Sequence, residues 1–281
     1  MARKAISDTT RAQIKAYLEV FVEHLVREYK GRPVPALDTP TAYLAQSSRR
    51  GQLKPFHAAI IPSELMRVSA FERGFSTALG TTFEECARLI ALEHHADAQR
   101  GYAITGQVSL AALAEVERQV AALEAAAAAG MSPPSVQQMA QHVLDARRSD
   151  DPERRVARAD LYILTKDGAR LFFEMKSPQP NKGQCLEVTL RILRIHLILG
   201  QSRPAVQAYY AMAYNPYGPT RAEYAWSFGR MYMPFADGVL IGHEFWDIIG
   251  GPGAYPELLA IYQEVGREKG KYMLDALAFG F

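Results

Sequence analysis

Residues 158–176 read RADLYILTKDGARLFFEMK, two apolar runs on either side of a Lys166-Asp167-Gly168 turn. No other stretch constrains the fold as strongly, because it predicts a β-hairpin whose register decides which side chains meet. In the second run Leu171, Phe173 and Met175 alternate with Arg170, Phe172, Glu174 and Lys176. Side chains alternate sides along a strand, so Glu174 and Lys176 project from one face. In the first run Asp160 shares its face with Tyr162 and Leu164. A two-residue Asp-Gly loop pairs Asp160 with Met175 and puts the two carboxylates on opposite faces. A three-residue Lys-Asp-Gly loop, with Gly168 left-handed as a bulge, pairs Asp160 directly with Glu174. We expect the second register.

That register gathers two carboxylates and an amine on one sheet face. Burying such a trio without a ligand is costly. A bound divalent cation offsets the carboxylate repulsion, and oxygen ligands favour magnesium. The competing reading is a surface hairpin with an ordinary glutamate and lysine.

Composition bounds the rest. The chain has 281 residues, 48% hydrophobic and 22% charged, which suits one large domain or one domain with a helical appendage. The net charge of +2 announces no global basic field, although basic residues outnumber acidic ones between 147 and 203. Two cysteines, Cys86 and Cys185, give neither a disulfide framework nor a zinc-type pair. The N-terminus lacks the apolar core of a signal peptide, and no apolar run approaches the ~20 residues of a membrane span. A soluble cytoplasmic protein with no membrane partner is the expectation.

In chain order, Ser7 or Asp8 caps a first helix reaching Tyr29, with Ile14, Leu18, Phe21, Leu25 and Val26 as its apolar stripe. Residues 32–40 form a proline-rich connector. Pro62 opens a helix over 63–79 that Gly80 ends. Thr81 or Thr82 then caps another, with Glu84 or Glu85 at a capping-box position and Phe83, Ala87 and Ile90 facing inward. His94 and His95 resemble a metal pair, but neighbours on a helix point apart, so they read as solvent-facing or helix-end residues. Residues 101–108 form a short strand. Two helices follow, over 110–129 and from 132 to about 148. Together 107–150 read as a helical insertion, either a scaffold, a dimer contact or a clasp on DNA. Residues 1–61 read as an N-terminal helical extension.

Beyond the hairpin, Asn181 with Gln184 forms an Asn variant of the capping box that opens a helix over 182–199, stopped by Gly200. That helix is apolar around most of its circumference, leaving a narrow stripe of Gln184, Glu187, Arg191 and Arg194. The stripe reads either as a Glu187–Arg191 pair along the helix or as a set of phosphate contacts. Strands are expected over 205–214 and 238–241, and helices over 244–249 and 256–267. The intervening Gly250-Gly251-Pro252-Gly253 lacks the strand, spacing and lysine of a phosphate-binding loop.

The pattern Asp160, thirteen intervening residues, Glu174-x-Lys176 resembles the PD-(D/E)xK nuclease superfamily. Ala159 stands where that family has its proline, a backbone-shaping position without chemistry. Glu28-Tyr29-Lys30 repeats the Glu-x-Lys spacing, but in helical surroundings with no hairpin before it. Longer blocks, SAFERGFSTALGTTFEECARLIA, the run from Ala159 to Ile198, AMAYNPYG and IGHEFWDIIGG, are similar to the TdeIII-type family of Type II restriction endonucleases over about 55–265.

The resemblance implies a PD-(D/E)xK restriction-endonuclease-like α/β core, a mixed central sheet flanked by helices, within a single nuclease domain. It implies magnesium-dependent hydrolysis of double-stranded DNA at a short palindrome, GGNCC, by a homodimer. Asp160, Glu174 and Lys176 carry over as the catalytic set. Asp160, Glu174 and the Met175 carbonyl would hold the metal. Glu84, with Glu85 and Glu72 as rivals, would assist the metal or merely cap its helix. Lys182, Gln184, Arg191 and Arg194 would contact DNA, and Lys182, Arg191, Arg194 and Arg221 are unranked candidates for reading guanines. Two other readings stand beside it: a structure-specific repair or recombination nuclease of the same fold, and a non-catalytic DNA-binding protein.

Overall fold

The computed structural model describes residues 4–30, 45–46, 53–200 and 206–276. Two compact units divide the chain, residues 1–10 with 83–257, and residues 11–82 with 258–281. The strands all lie in the first unit: β1 (Asp97–Ser109), β2 (Pro152–Leu164), β3 (Arg170–Met175), β4 (Val206–Met212) and β5 (Val239–Ile241), adjacent in that order. β1, β2 and β3 form an antiparallel meander, and β3, β4 and β5 run parallel. The helices are α1 (Asp8–Tyr29), α2 (Pro55–Ile60), α3 (Ser63–His94), α4 (Leu110–Ala128), α5 (Val136–Asp145), α6 (Lys182–Leu199), α7 (Ser227–Met231), α8 (Phe235–Gly238), α9 (His243–Gly250) and α10 (Ala254–Leu274). This mixed sheet flanked by helices is the expected architecture and is consistent with a restriction-endonuclease-like core.

Helix α6 is the crossover between parallel strands β3 and β4. Its start is the one read from the sequence: the Asn181 side chain accepts from the Gln184 backbone N–H, and the Gln184 side chain accepts from the Asn181 N–H. Cys185, Val188, Ile192 and Ile195 pack with Tyr162, Phe172, Ala208 and Tyr210 of the sheet. Leu193 and Leu197 pack with Val116 and Leu123 of α4 and with Met139 and Val143 of α5. Both flanks of the helix are therefore buried, which explains its near-continuous apolar circumference. Each such side chain contributes about 1.5–3 kcal/mol by leaving water. On the far face of the sheet, Phe173 meets Phe245 edge-on with centroids 5.4 Å apart.

The second unit is helical. α1 buries Leu25 and Tyr29 against Phe71, Phe75 and Ala78 of α3. Lys15 reaches Glu268 at 2.7 Å, and Lys269 reaches Glu23 at 2.6 Å, tying α1 to α10.

Two expectations are corrected. Residues 63–94 do not break at Gly80 but form one continuous helix, α3. The Thr81 and Thr82 hydroxyls donate back to the Ala78 and Leu79 carbonyls at 2.6 and 2.7 Å. They are satisfied inside the helix rather than capping a new one, and Gly80 is carried at roughly 1 kcal/mol relative to alanine. The strand expected over 101–108 runs from Asp97 to Ser109, because it pairs with β2 almost throughout. The connector at 32–40 lies outside the described residues.

Candidate active site

The β2–β3 ladder pairs Leu161 with Phe173, Tyr162 with Phe172, Ile163 with Leu171 and Leu164 with Arg170. Asp160 and Glu174 are the next residues beyond the last pair, in the register that the sequence favoured. At the other end the Thr165 N–H donates to the Ala169 carbonyl at 2.9 Å, the Gly168 N–H donates to the Thr165 carbonyl at 3.0 Å, and Gly168 has φ +85°. The loop is thus the three-residue one, with glycine left-handed.

Side chains from three positions of the hairpin and one of α6 converge. Asp160 Oδ2 accepts from the Met175 N–H at 2.8 Å and from Lys176 Nζ at 3.3 Å. Lys176 Nζ is also 3.9 Å from Glu174 Oε2. Arg191 donates to Glu174 Oε2 at 2.6 Å through one arm and to Glu187 at 2.7 Å through the other. Glu174 is 1% exposed, and its Oε1 is buried without a hydrogen-bond partner. Burial, and then the neighbouring Asp160 charge, push the Glu174 carboxyl up to about 8 against the pull of Arg191 and Lys176. Without a cation it therefore holds its proton at neutral pH.

The donor set fits a hard divalent cation. It offers carboxylate oxygens, one of them a buried acceptor with nothing to accept from. Among the described residues no three His, Cys, Asp or Glu side chains converge as a metal cluster. A cation here would complete its shell with backbone and water, the habit of magnesium. The flank toward β1 is open: the pairs Arg100–Leu161 and Tyr102–Ala159 bracket Gly101 and Asp160. Gly101 has φ +61°, and a Cβ built on it would meet nothing within 4 Å.

The remaining candidates have the following partners. Glu84 pairs with Arg100 at 2.8 Å, and Glu85 with Arg88 and with Arg100, the latter at 3.3 Å. Among the described residues none of these bonds reaches Asp160 or Glu174. Glu72 accepts from Ser76 within the second unit. Lys182 pairs with Glu124 and lies 5.3 Å from the centre of the Tyr232 ring. Gln184 spends its carbonyl on the helix cap, and Arg194 pairs with Glu117 at 3.0 Å. Arg221 is held by Glu244 and the Phe235 and Val239 carbonyls, and stacks on the Phe235 ring. His94 and His95 point apart, to the Ala5 carbonyl at 2.7 Å and the Ile248 carbonyl at 2.9 Å. They stand at the end of α3, the helix-end alternative of the sequence reading, and are half-buried because each ring finds a backbone acceptor. Glu28 and Tyr29 close α1, so that Glu-x-Lys is helical as expected. What the sequence did not reveal is the bond from Arg191 to Glu174. The available signal was its place on the single polar stripe of a helix that must cover the hairpin.

The family profile described as "Type II restriction endonuclease, HinfI" matches residues 10–266. Three enzymes of Herpetosiphon aurantiacus are similar over nearly the whole chain. Type II restriction enzyme HgiEI is 46% identical over 267 residues, covering 94% of this chain and 96% of that protein. Type II restriction enzymes HgiBI and HgiCII are each 45% identical, with the same coverage. No solved structure matches the chain. The chain belongs to the HinfI family of Type II restriction endonucleases and is a site-specific endodeoxyribonuclease.

Proposed function

We propose that this enzyme is a TdeIII-type, PD-(D/E)xK nuclease that hydrolyses double-stranded DNA at the palindrome GGNCC, using magnesium and acting as a homodimer. Asp160, Glu174 and the Met175 carbonyl would hold the cation, which supplies a Lewis acid that lowers the pKa of water and offsets charge on the scissile phosphate. Lys176 lies within reach of both carboxylates, where its ammonium orients the attacking water and stabilises the charge that builds on the phosphate. Arg191 neutralises part of the paired carboxylate charge and fixes the Glu174 rotamer. The bare flank at Gly101 leaves room for the DNA backbone beside Asp160.

The observation that carries this reading is the buried Glu174 carboxyl, one oxygen unpartnered, which shares Lys176 Nζ with Asp160. Digestion of a plasmid of known sequence in magnesium tests it. Discrete fragments whose ends map to GGNCC are expected, with no cutting by Asp160→Ala. Ends mapping to another sequence would overturn the specificity, and an active Asp160→Ala would overturn the site.

A further inference from the structure

Past Asp160 the β1–β2 ribbon continues as a long two-stranded arm. Ile104, Ala157 and Ala159 are buried in one cluster with Val188 and Ile192 of α6. Alternation along the strand turns Arg154, Val156 and Arg158 to the opposite face. All three are exposed, Val156 to 58%. The ladder sets Gln107, Thr105 and Ala103 across from them, and these are exposed too. Between Arg154 and Arg158 alternation puts no carboxylate on this face, and Asp160 is the next position along it. Glu153 alternates onto the other one and pairs there with Arg155 at 2.7 Å. Among the described residues no acidic side chain pairs with Arg154 or Arg158. The cations of α6 are placed differently: Lys182, Arg191 and Arg194 are each held by glutamates of this same chain. Arg154 and Arg158 thus differ from the α6 cations in having no ion-pair partner among the described residues, and along β2 only Ala159 separates Arg158 from Asp160.

We propose that the exposed face of the β1–β2 arm is a track for the DNA backbone leading to the active site, with Arg154 and Arg158 on separate phosphates. Four residues of strand span about 13 Å, enough for the two guanidinium groups to serve separate phosphates. Gln107 and Thr105 offer neutral hydrogen bonds alongside. The occupant is a DNA duplex because the enzyme's substrate is a polyanion and this face is cationic and continuous with Asp160. The reading rests on Asp160 marking the scissile phosphate.

The test is equilibrium binding of labelled duplexes in calcium, without cleavage, across a salt series. For the double variant Arg154→Ala/Arg158→Ala, the slope of log K against log salt should shrink by about 1.8, about 0.9 per lost phosphate contact. Affinity near 0.1 M salt should fall about 10–100-fold, equally on a GGNCC duplex and on a scrambled one. The Arg154→Lys/Arg158→Lys variant should keep the slope, which a merely structural role would not predict. An unchanged slope, a loss confined to the GGNCC duplex, or a lysine variant as weak as the alanine one would overturn the proposal. Binding is read without cutting, so an Asp160→Ala variant that still cuts would remove the catalytic reading and leave this result standing.

Discussion

A carboxyl that keeps its proton near neutrality is a poor cation ligand, and Glu174 is such a group until the pH approaches about 8. Its folded value lies above the ordinary one, so its contribution to stability is complete below about 4.5 and is lost as pH rises through about 8. The metal-free protein should lose denaturant resistance over that window, and Glu174→Gln should flatten the loss. Cation binding has the opposite sign. Because it must displace the proton, magnesium affinity should rise with pH and level off above about 8, with close to one proton released at neutral pH. Calorimetry in buffers of different ionisation enthalpy reads this directly; proton release that does not change with pH would exclude Glu174 as a ligand. Arg191 opposes the upward shift, so Arg191→Ala should move the acid limb of the cleavage profile to higher pH. If Arg191 were only a phosphate contact, the salt dependence would change and the pH profile would not. Lys176→Ala separates chemistry from binding. Its charge matters most as negative charge develops, so cleavage should fall on the order of 100-fold or more while duplex binding in calcium persists. Raised magnesium should not rescue it, whereas it should partly rescue Asp160→Ala. A Lys176→Ala enzyme cutting at near wild-type rate would refute its role.

The hairpin is the element that makes these residues neighbours, and it was legible because three local signals agree. Apolar alternation, a turn containing Gly168, and a carboxylate at each matching position select one register, and the ladder follows it. Gly168 holds φ +85°, so Gly168→Ala should cost about 1–2 kcal/mol, read as a lower denaturant midpoint. Cleavage should survive wherever the protein stays folded, because the β2–β3 ladder and the Met175 N–H bond to Asp160, rather than the glycine, position Asp160. Helix α6 was equally legible, since its capping box lies within four consecutive residues. What was missed depends on hydrogen-bond and ion-pair partners that the local pattern does not name. Gly80-Thr81-Thr82 reads as a stop and a new cap, yet the hydroxyls close on the preceding turn and α3 continues. The first residues of β1 look too polar for a strand until β2 supplies the ladder. The ion pairs of Lys182 and Arg194 were not legible because their partners, Glu124 and Glu117, come from α4 far earlier in the chain.

At the scale of the whole molecule, a net charge of +2 draws DNA in only weakly, so binding has to come from local faces. The palindromic target proposed above would add a symmetry requirement. Its two strands would present the same sequence in opposite directions, which a two-fold pair of chains matches in one binding event. In the proposed homodimer each protomer would carry one Asp160–Glu174–Lys176 site and be committed to one strand. The consequence can be tested with a mixed dimer of one wild-type chain and one Lys176→Ala chain, isolated through two different affinity tags. The variant chain should still contribute its share of duplex contacts, since its lesion is in chemistry. On supercoiled plasmid the mixed dimer should open circles by nicking a single strand, and linear product should accumulate only slowly, through later binding in the reversed orientation. Wild type should give linear product without a build-up of open circles. If the mixed dimer instead linearises plasmid at about half the wild-type rate from the start, one active site serves both strands and the two-site arrangement is wrong.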